Sequence, residues 1–416
     1  MAGEDMSAEA RGMADTVARR SYGKLVAFLA ASTRDVAAAE DAVADAFAAA
    51  LAQWPGRGCP ANPEAWLVTV ARSKIIDEAR RRRIGEVSAD HLQIIAEGLE
   101  SAAASGEIPD RRLALLFAVA HPAVDPAISA PLMLQAVLGF DARMIASAFL
   151  TSPEAMAKRL VRAKAKIKQA GIPFSVPDRD ELPGRLDAVL SAIYAVFAEG
   201  WADPTGVDVA RRGFTGEALF LARLVVELMA GDPEALGLLA LMLHAEARRS
   251  ARRSASGEFV PLSQQNTKMW DASMINEAEA LLHRASTAGA FGRYQLEAAL
   301  QSAHVHRCLT GTHNWAHVVS LYDALLEVSG SPVVRLNRAL AVAETQGPHA
   351  ALAEIEALST DPRMAEYQPY WAARAELLGK IGAYREARQC YDVGIGLERD
   401  GAVRRFLHRR QCALPE

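Results

Sequence analysis

The sequence predicts an all-α chain. Apolar residues recur at steps of three and four along most segments, and no stretch of useful length alternates apolar with polar residues as a strand would. Two basic segments also open on helix-start signals, Asn62-Pro63-Glu64 and Ser152-Pro153-Glu154, in which a side-chain oxygen can cap early amides and Pro sits where no donor is needed. The 416 residues allow roughly two to four domains. A net charge of −4 means that any affinity for nucleic acid must come from local patches.

Taken in order, residues from about 14 to 54 read as two helices. Tyr22, Leu25, Val26 and Leu29 stripe the first; Val43, Ala46, Phe47, Ala50 and Leu51 are expected inward on the second, with Glu40, Asp41 and Asp45 outward. A loop at 55–61 carries Gly56, Gly58 and Pro60. The helix from Asn62 to Arg83 then pairs an apolar sector (Trp66, Leu67, Val70, Ala71, Ile75) with a side bearing Thr69, Arg72, Ser73, Ile76, Arg80 and Arg83, a row suited to a nucleic-acid backbone. Residues 84–109 are read as a linker.

From Asp110 to Ala170 a second helical unit is expected. Within it Asp141 caps a short helix through Phe149, residues 150–152 turn the chain, and Ser152 starts the next helix. Met156, Leu160, Ala163 and Ile167 share one stripe of that helix, while Lys158, Arg159, Arg162, Lys166 and Gln169 lie opposite. Such segregation suits a recognition helix, seated on one face and reading a major groove with the other. A Pro-rich link follows, and from Leu186 the chain is helical again, with loops near 202–207, 250–268, 309–314 and 346–348. Trp371, Ala375, Ala387, Tyr391 and Gly394 fall at the spacing of a tetratricopeptide unit. Steps of 36 residues back give Ala339, Ala351, Ile355 and Leu358, then Ala303, Trp315, Val319 and Tyr322, again small or apolar.

Cys59, Cys308, Cys390 and Cys412 are scattered, which argues against zinc or a disulfide framework and for a reducing, cytoplasmic compartment. With no apolar run near 18 residues, no membrane partner is expected. Phosphate-loop, His-Glu-x-x-His and Gly-x-Ser-x-Gly patterns are lacking, so neither catalytic residues, metal nor cofactor are expected. His304 and His306 diverge on a helix, His121 reads as a helix-end or core histidine, and the run Arg248, Arg249, Arg252, Arg253 reads as solvated.

The segments 38–47 (AAEDAVADAF), 65–72 (AWLVTVAR, with Asp77 and Arg80-Arg81) and 159–164 (RLVRAK) resemble extracytoplasmic-function RNA polymerase sigma factors, with region 2 and region 4 in order. Ala120-His121-Pro122-Ala123, Ile193-Tyr194 with Phe197, Glu199-Gly200-Trp201, 238–243 (LLALML) and 336–339 (LNRA) resemble the subgroup with a long tetratricopeptide-like C-terminal extension. The resemblance implies region 2 at 14–83, a linker at 84–109, region 4 at 110–172, a Pro-rich link at 173–185 and the extension at 186–412. It implies that Glu40, Asp41 and Asp45 dock on the clamp of core RNA polymerase. Promoter DNA is the implied second partner. The −10 element would meet the loop 53–62, with Trp54 and Asn62, and the helix residues Thr69, Arg72, Ser73, Ile76 and Arg80. The −35 element would meet Glu154, Lys158, Arg159, Arg162 and Lys166. Ser73 stands where the family usually has Asn, and Met144 where a Glu commonly precedes Ile-Ala. A protein or peptide partner is expected for the extension, which would regulate the sigma units. Two other readings stay open: a helix-turn-helix regulator with a protein-binding array, and an all-α enzyme with its site in the C-terminal part.

Overall fold

The computed structural model describes residues 21–82 and 111–415, except 150, 179, 202–208, 230 and 290. The expected linker at 84–109 lies outside the described residues. All regular elements among the described residues are helical, and the chain divides into two compact units, Met1–Trp201 with Ala210–Ala218, and Ala202–Val209 with Leu219–Glu416.

In the first unit, α1 (21–33) buries Leu25, Val26 and Leu29 as expected. Asp35 then caps α2 (Val36–Arg57), its Oδ1 accepting from the Ala38 amide at 3.1 Å. The helix runs three residues past its expected end because Pro55 falls in the last turn, where its missing donor breaks little. Leu51, expected inward, is exposed. Asn62 starts α3 (Pro63–Arg82) by accepting from Ala65 at 3.0 Å. α2 and α3 form a hairpin closed on Ala46, Ala50, Trp54, Leu67 and Ala71.

After the undescribed residues come α4 (Arg112–Val119) and α5 (Pro126–Ala136), apolar nearly all round and buried, then α6 (Ala142–Ala148) and α7 (Pro153–Gln169). Asp141 and Ser152 are the caps the sequence marks. Met156, Leu160, Ala163 and Ile167 are all buried. The Pro-rich stretch is no free tether, since Ile172 and Phe174 are buried. α8 (Leu182–Trp201), expected to open the extension, instead belongs to the first unit. Its stripe of Leu186, Val189, Leu190, Ile193, Val196 and Phe197 packs on α4 and α5. Arg185 on it donates to the Phe117 carbonyl at 3.0 Å, and His121 ends α4 with Nδ1 accepting from the Ala123 amide at 3.0 Å.

α9 (Val209–Leu228) has residues in both units. The second unit continues with α10 (Pro233–Glu246), α11 (Ala272–Ser286), α12 (Arg293–Thr310), α13 (Trp315–Ser329), α14 (Pro332–Gln346) and α15 (Pro348–Glu356). A short α16 (Pro362–Ala365) leads to α17 (Gln368–Lys380), α18 (Tyr384–Leu397) and α19 (Gly401–Cys412). From α13 on, most helices pack mainly on their chain neighbours, while α12 packs chiefly on α10, the second helix before it, the short-range pattern of a quasi-one-dimensional stack. Ala339, Ala351, Ile355, Leu358, Ala375, Ala387 and Tyr391 are buried in a shared core, and Gly394 of α18 lies beside Trp371 of α17. The run from Arg248 is not solvated as expected. Arg248 donates to Gln301 and lies over Trp270, Arg249 pairs with Glu246, and Arg253 pairs with Asp400. His306 is exposed while His304 packs against Trp315, so the two diverge.

One carboxylate organises the start of this stack. Glu234, on α10, accepts from the Tyr294 and Gln295 amides at 3.0 and 3.1 Å and so caps α12 from outside. Space for it exists because Gly292 and Gly237 lack Cβ atoms; a Cβ on Gly237 would lie 2.6 Å from the Gln295 nitrogen. Glu234→Ala is expected to remove both of these bonds and to cost roughly 1–3 kcal/mol, seen as a lower urea midpoint for the second unit.

His244 on α10 is fully buried, and burial together with the Arg248 charge pushes its pKa down to about 4. The folded chain therefore holds His244 neutral where the unfolded chain would take up a proton, so stability is full above about pH 6.5 and falls as pH drops toward 4. The loss is up to about 3 kcal/mol. Denaturation midpoints across this range should show the slope, and His244→Gln should flatten it.

Candidate functional site

The expected site residues fall on two helical pairs of the first unit. On α2, Asp41 and Asp45 are exposed, and Asp45 makes a surface pair with Lys74 of α3 at 3.3 Å. Glu40 does not join them. It lies on the apolar side with Val36, Ala39 and Val43, is 8% exposed, and its Oε2 meets Lys164 of α7 at 2.5 Å. Its Oε1 has no hydrogen-bond partner. Burial raises the Glu40 pKa, and Lys164 offsets this only in part. The expectation of three equivalent outward carboxylates is therefore corrected to two. The cause is helical phase, since Glu40 stands four residues after Val36 and three before Val43.

Trp54 lies within α2, where the helix reading ended, and not in the −10 loop that the resemblance implies. It is a buried residue of α2 and meets Trp66 edge-on at 5.6 Å, bracing the α2–α3 turn. Its indole is thus not offered to a ligand in this arrangement. Asn62 is exposed but acts as the α3 cap. Along α3, Thr69 and Ser73 are exposed, with hydroxyls donating one turn back to Ala65 and Thr69 at 2.8 and 3.1 Å, which leaves their oxygens able to accept. Arg72 and Ile76 are half-exposed beside them, and the side chain of Arg80 lies outside the described residues. Glu64 anchors this helix to α1, accepting from Ser21 at 2.6 Å and Lys24 at 3.0 Å. Burial pushes the Glu64 carboxyl up, but those bonds and the charges of Lys24 and Arg112 outweigh it and hold it below its usual range.

On α7 the segregation is as expected. Glu154, Lys158, Arg162 and Lys166 are exposed and Arg159 is half-exposed, opposite the buried stripe. Val161, 63% exposed, stands among the basic residues. Sequence reasoning missed Lys164 and Lys168, which flank the stripe one turn apart. Lys168 meets Asp35 at 2.6 Å, so both lysines reach α2. Asp35 is pushed up by burial, yet the Lys168 bond and the α2 amides outweigh this and hold its carboxyl below the usual range. Their signal was the flanking position itself, since long cations beside an apolar stripe reach whatever the stripe packs near.

Among the described residues no cluster of His, Cys, Asp or Glu could hold a metal ion, all four cysteines are free, and no helix is long and apolar enough to cross a membrane. The chemistry on offer is electrostatic and hydrogen-bonding: a hydroxyl- and guanidinium-bearing face on α3, a basic face on α7 and a pair of exposed carboxylates on α2.

Comparison with known proteins agrees. The family described as Sigma-70 region 2 matches residues 17–84, which span α1 to α3. A family of unknown function, DUF6596, matches residues 185–286, from α8 to α11. An uncharacterized protein of Rhizobium meliloti (strain 1021) is 38% identical over 369 residues, covering 88% of this chain and 87% of its own. No solved structure gives a significant match. The chain belongs to the same family as the Rhizobium meliloti protein, and the sigma-70 region 2 that it carries supports a sigma factor's role in promoter recognition.

Proposed function

We propose that the protein is a sigma factor of the extracytoplasmic-function type, which binds core RNA polymerase, recognises −35 and −10 elements, melts the promoter and starts transcription without a catalytic site of its own. The observation that carries this reading is the match to sigma-70 region 2 on the α1–α3 unit. Asp41 and Asp45 are the carboxylates available to core polymerase in the described arrangement, with Glu40 joining them only when freed from Lys164. The −10 element would lie along Thr69, Arg72, Ser73, Ile76 and Arg80, whose hydroxyls and guanidinium groups suit separated strands.

For α7 the reading is a −35 recognition helix, with Lys158, Arg159, Arg162 and Lys166 toward the groove and Val161 offering an apolar contact to a thymine methyl. Lys158→Ala or Arg162→Ala should each weaken −35 recognition by about 1–3 kcal/mol where the residue reads a base. Where it touches only phosphate, binding should weaken evenly across sequences and the salt slope should fall by about one. Promoter binding measured across salt concentrations separates the two. Transcription in vitro with purified core enzyme and a genomic library of promoter fragments tests the whole reading. Asp41→Arg should co-purify poorly with core enzyme, and undiminished co-purification would remove polymerase docking from α2.

The second unit is read as a tetratricopeptide-like array that takes a protein or peptide partner and regulates the first. A chain ending after Ala218 tests this, because α8 and residues 210–218 belong to the first unit. Masking by the array predicts a fragment more active in transcription, a positive role predicts an inactive one, and an unchanged fragment refutes regulation.

A further inference from the structure

Two guanidinium groups of the second unit are desolvated without an opposite charge to meet them. Arg307, on α12, is half-buried with its guanidinium 3.8 Å from the centre of the Trp315 ring, and its Nη1 is sealed with no hydrogen-bond partner. Arg248, just past the end of α10, donates through Nε and Nη2 to neutral acceptors, the His244 carbonyl at 3.3 Å and Gln301 Oε1 at 2.7 Å, and lies over Trp270. Burial pushes the Arg248 pKa down. Among the described residues no carboxylate pairs with either group.

His304 stands between them. Gln301, His304 and Arg307 follow at steps of three along one side of α12, spanning on the order of 9 Å of helix axis. His304 meets Trp315 edge-on at 6.1 Å, and its Nδ1 is a further sealed atom without a partner. Burial, then the charges of Arg307 and Arg248, push its pKa down to about 4, so both guanidinium groups act on this one imidazole. The carboxylates of α10 and α12 are engaged elsewhere: Glu234 by the α12 amides, Glu246 by Arg249 and Glu297 by Arg293. Arg338, in the same array, has the usual arrangement for a half-buried guanidinium, held by Asp323 and Glu354.

Taking a charge out of water without a counter-ion is costly, and nothing in the packing of α12 on α10 requires it. Uncompensated cations beside aromatic surface are what an anionic ligand needs. Over residues 219–416 acidic and basic residues nearly balance, so the unit offers no field for a polyanion such as nucleic acid. His304, neutral at pH 7, adds a hydrogen bond and no third charge. Trp315 and the half-buried Tyr322 beside it supply apolar surface next to the cations.

We propose that Arg248, His304 and Arg307 form a carboxylate-binding site on α12 that takes an acidic side chain from a peptide segment of a partner protein, with Trp315 and Tyr322 covering an apolar neighbour of that side chain. Such a site rests on reading the second unit as a protein-binding array, and it gives that partner its chemistry. Pairing supplies the two guanidinium groups with the counter-charge that the chain itself withholds.

The test is equilibrium binding of heptapeptide pools, labelled with a neutral dye, to the full chain. Each pool varies among Ala, Leu, Ser and Phe around one fixed central residue, which is Glu, Gln, phosphoserine or Lys. Capped ends leave the fixed residue as the pool's charge. The Glu pool should bind roughly ten- to a hundredfold more tightly than the Gln pool, the gain expected of hydrogen bonds to charged groups. Arg307→Met keeps an unbranched chain over Trp315 but removes the charge, and it should erase that preference. Its thermal midpoint should equal or exceed the parent's, because an uncompensated charge has been removed, whereas a guanidinium that only holds the fold would lower it on removal. The assay reads binding alone, so it stands whether or not truncation shows that the array regulates transcription. Equal binding of the Glu and Gln pools, or a preference that survives Arg307→Met, overturns the site. Tighter binding of the phosphoserine pool than of the Glu pool overturns the carboxylate. Should Arg307→Met unfold the second unit, Arg307→Lys decides, since a cation over Trp315 should keep a reduced preference for Glu, and its complete loss overturns the site.

Discussion

A carboxylate does not stay ionised inside a helical bundle without a cation beside it, and the arrangement of the first unit follows from where Glu40 finds one. Its phase on α2 puts it in the apolar seam, so it must be protonated or paired. Lys164 supplies the charge from more than a hundred residues further on, and Lys168 repeats the contact at Asp35. The two lysines are four residues apart on one helix, and the two acids five apart on the other. Both pairs close together only in a narrow range of crossing angle and register. With Oε1 of Glu40 unpartnered, desolvation takes back much of what the Coulomb attraction gives. The pair therefore contributes less to stability than to geometry, fixing where α7 sits when it sits on α2.

The second unit depends on a different economy of contacts. Small residues such as Ala339, Ala351, Ala375 and Ala387 let neighbouring helices approach, and Tyr370 and Tyr391 fill the space between. Arg338 spans two hairpins by reaching Asp323 on one side and Glu354 on the other, but such half-exposed pairs hold alignment more than energy. Glu234 is more consequential, because one carboxylate accepts from two helix-start amides at once.

Much of this was legible in the sequence, and what was not has a common cause. Helix starts marked by Asp35, Asn62, Asp141 and Ser152 are where capping chemistry puts them, and the α7 stripe is buried residue for residue, because both signals are local. The spacing of Ala375, Ala387 and Tyr391 likewise anticipated the buried residues shared by α17 and α18. Misreadings came where a distant partner decides. Glu40 was grouped with Asp41 and Asp45 by charge although its spacing to Val36 and Val43 gave its phase. Trp54 ends the second helix in the reading of the residues and entered the −10 loop 53–62 only through the family resemblance, whereas the indole packs on Trp66. The arginines from Arg248 looked solvated until Gln301, Trp270 and Asp400 arrived from elsewhere in the chain. Gly23 gave no sign of its importance, since a glycine's reason lies in the carbonyl it approaches.

The distribution of these contacts separates what stays together from what can part. The α2–α3 hairpin is closed by Trp54 on Trp66 and by aliphatic residues, and opening it would return apolar surface to water at about 25 cal/mol per Å². Against α7, α2 presents charges. Separating Glu40 from Lys164 loses a Coulomb attraction but restores hydration to two ions, so the two large terms oppose one another and the net contribution of the pair itself is small. An apolar seam of the same area has no such compensation. Gly23 and Gly139 then serve specificity, because a close backbone fit can re-form in one register only. A charged seam seated by glycines therefore fixes the position of α7 on α2 more than it adds to stability.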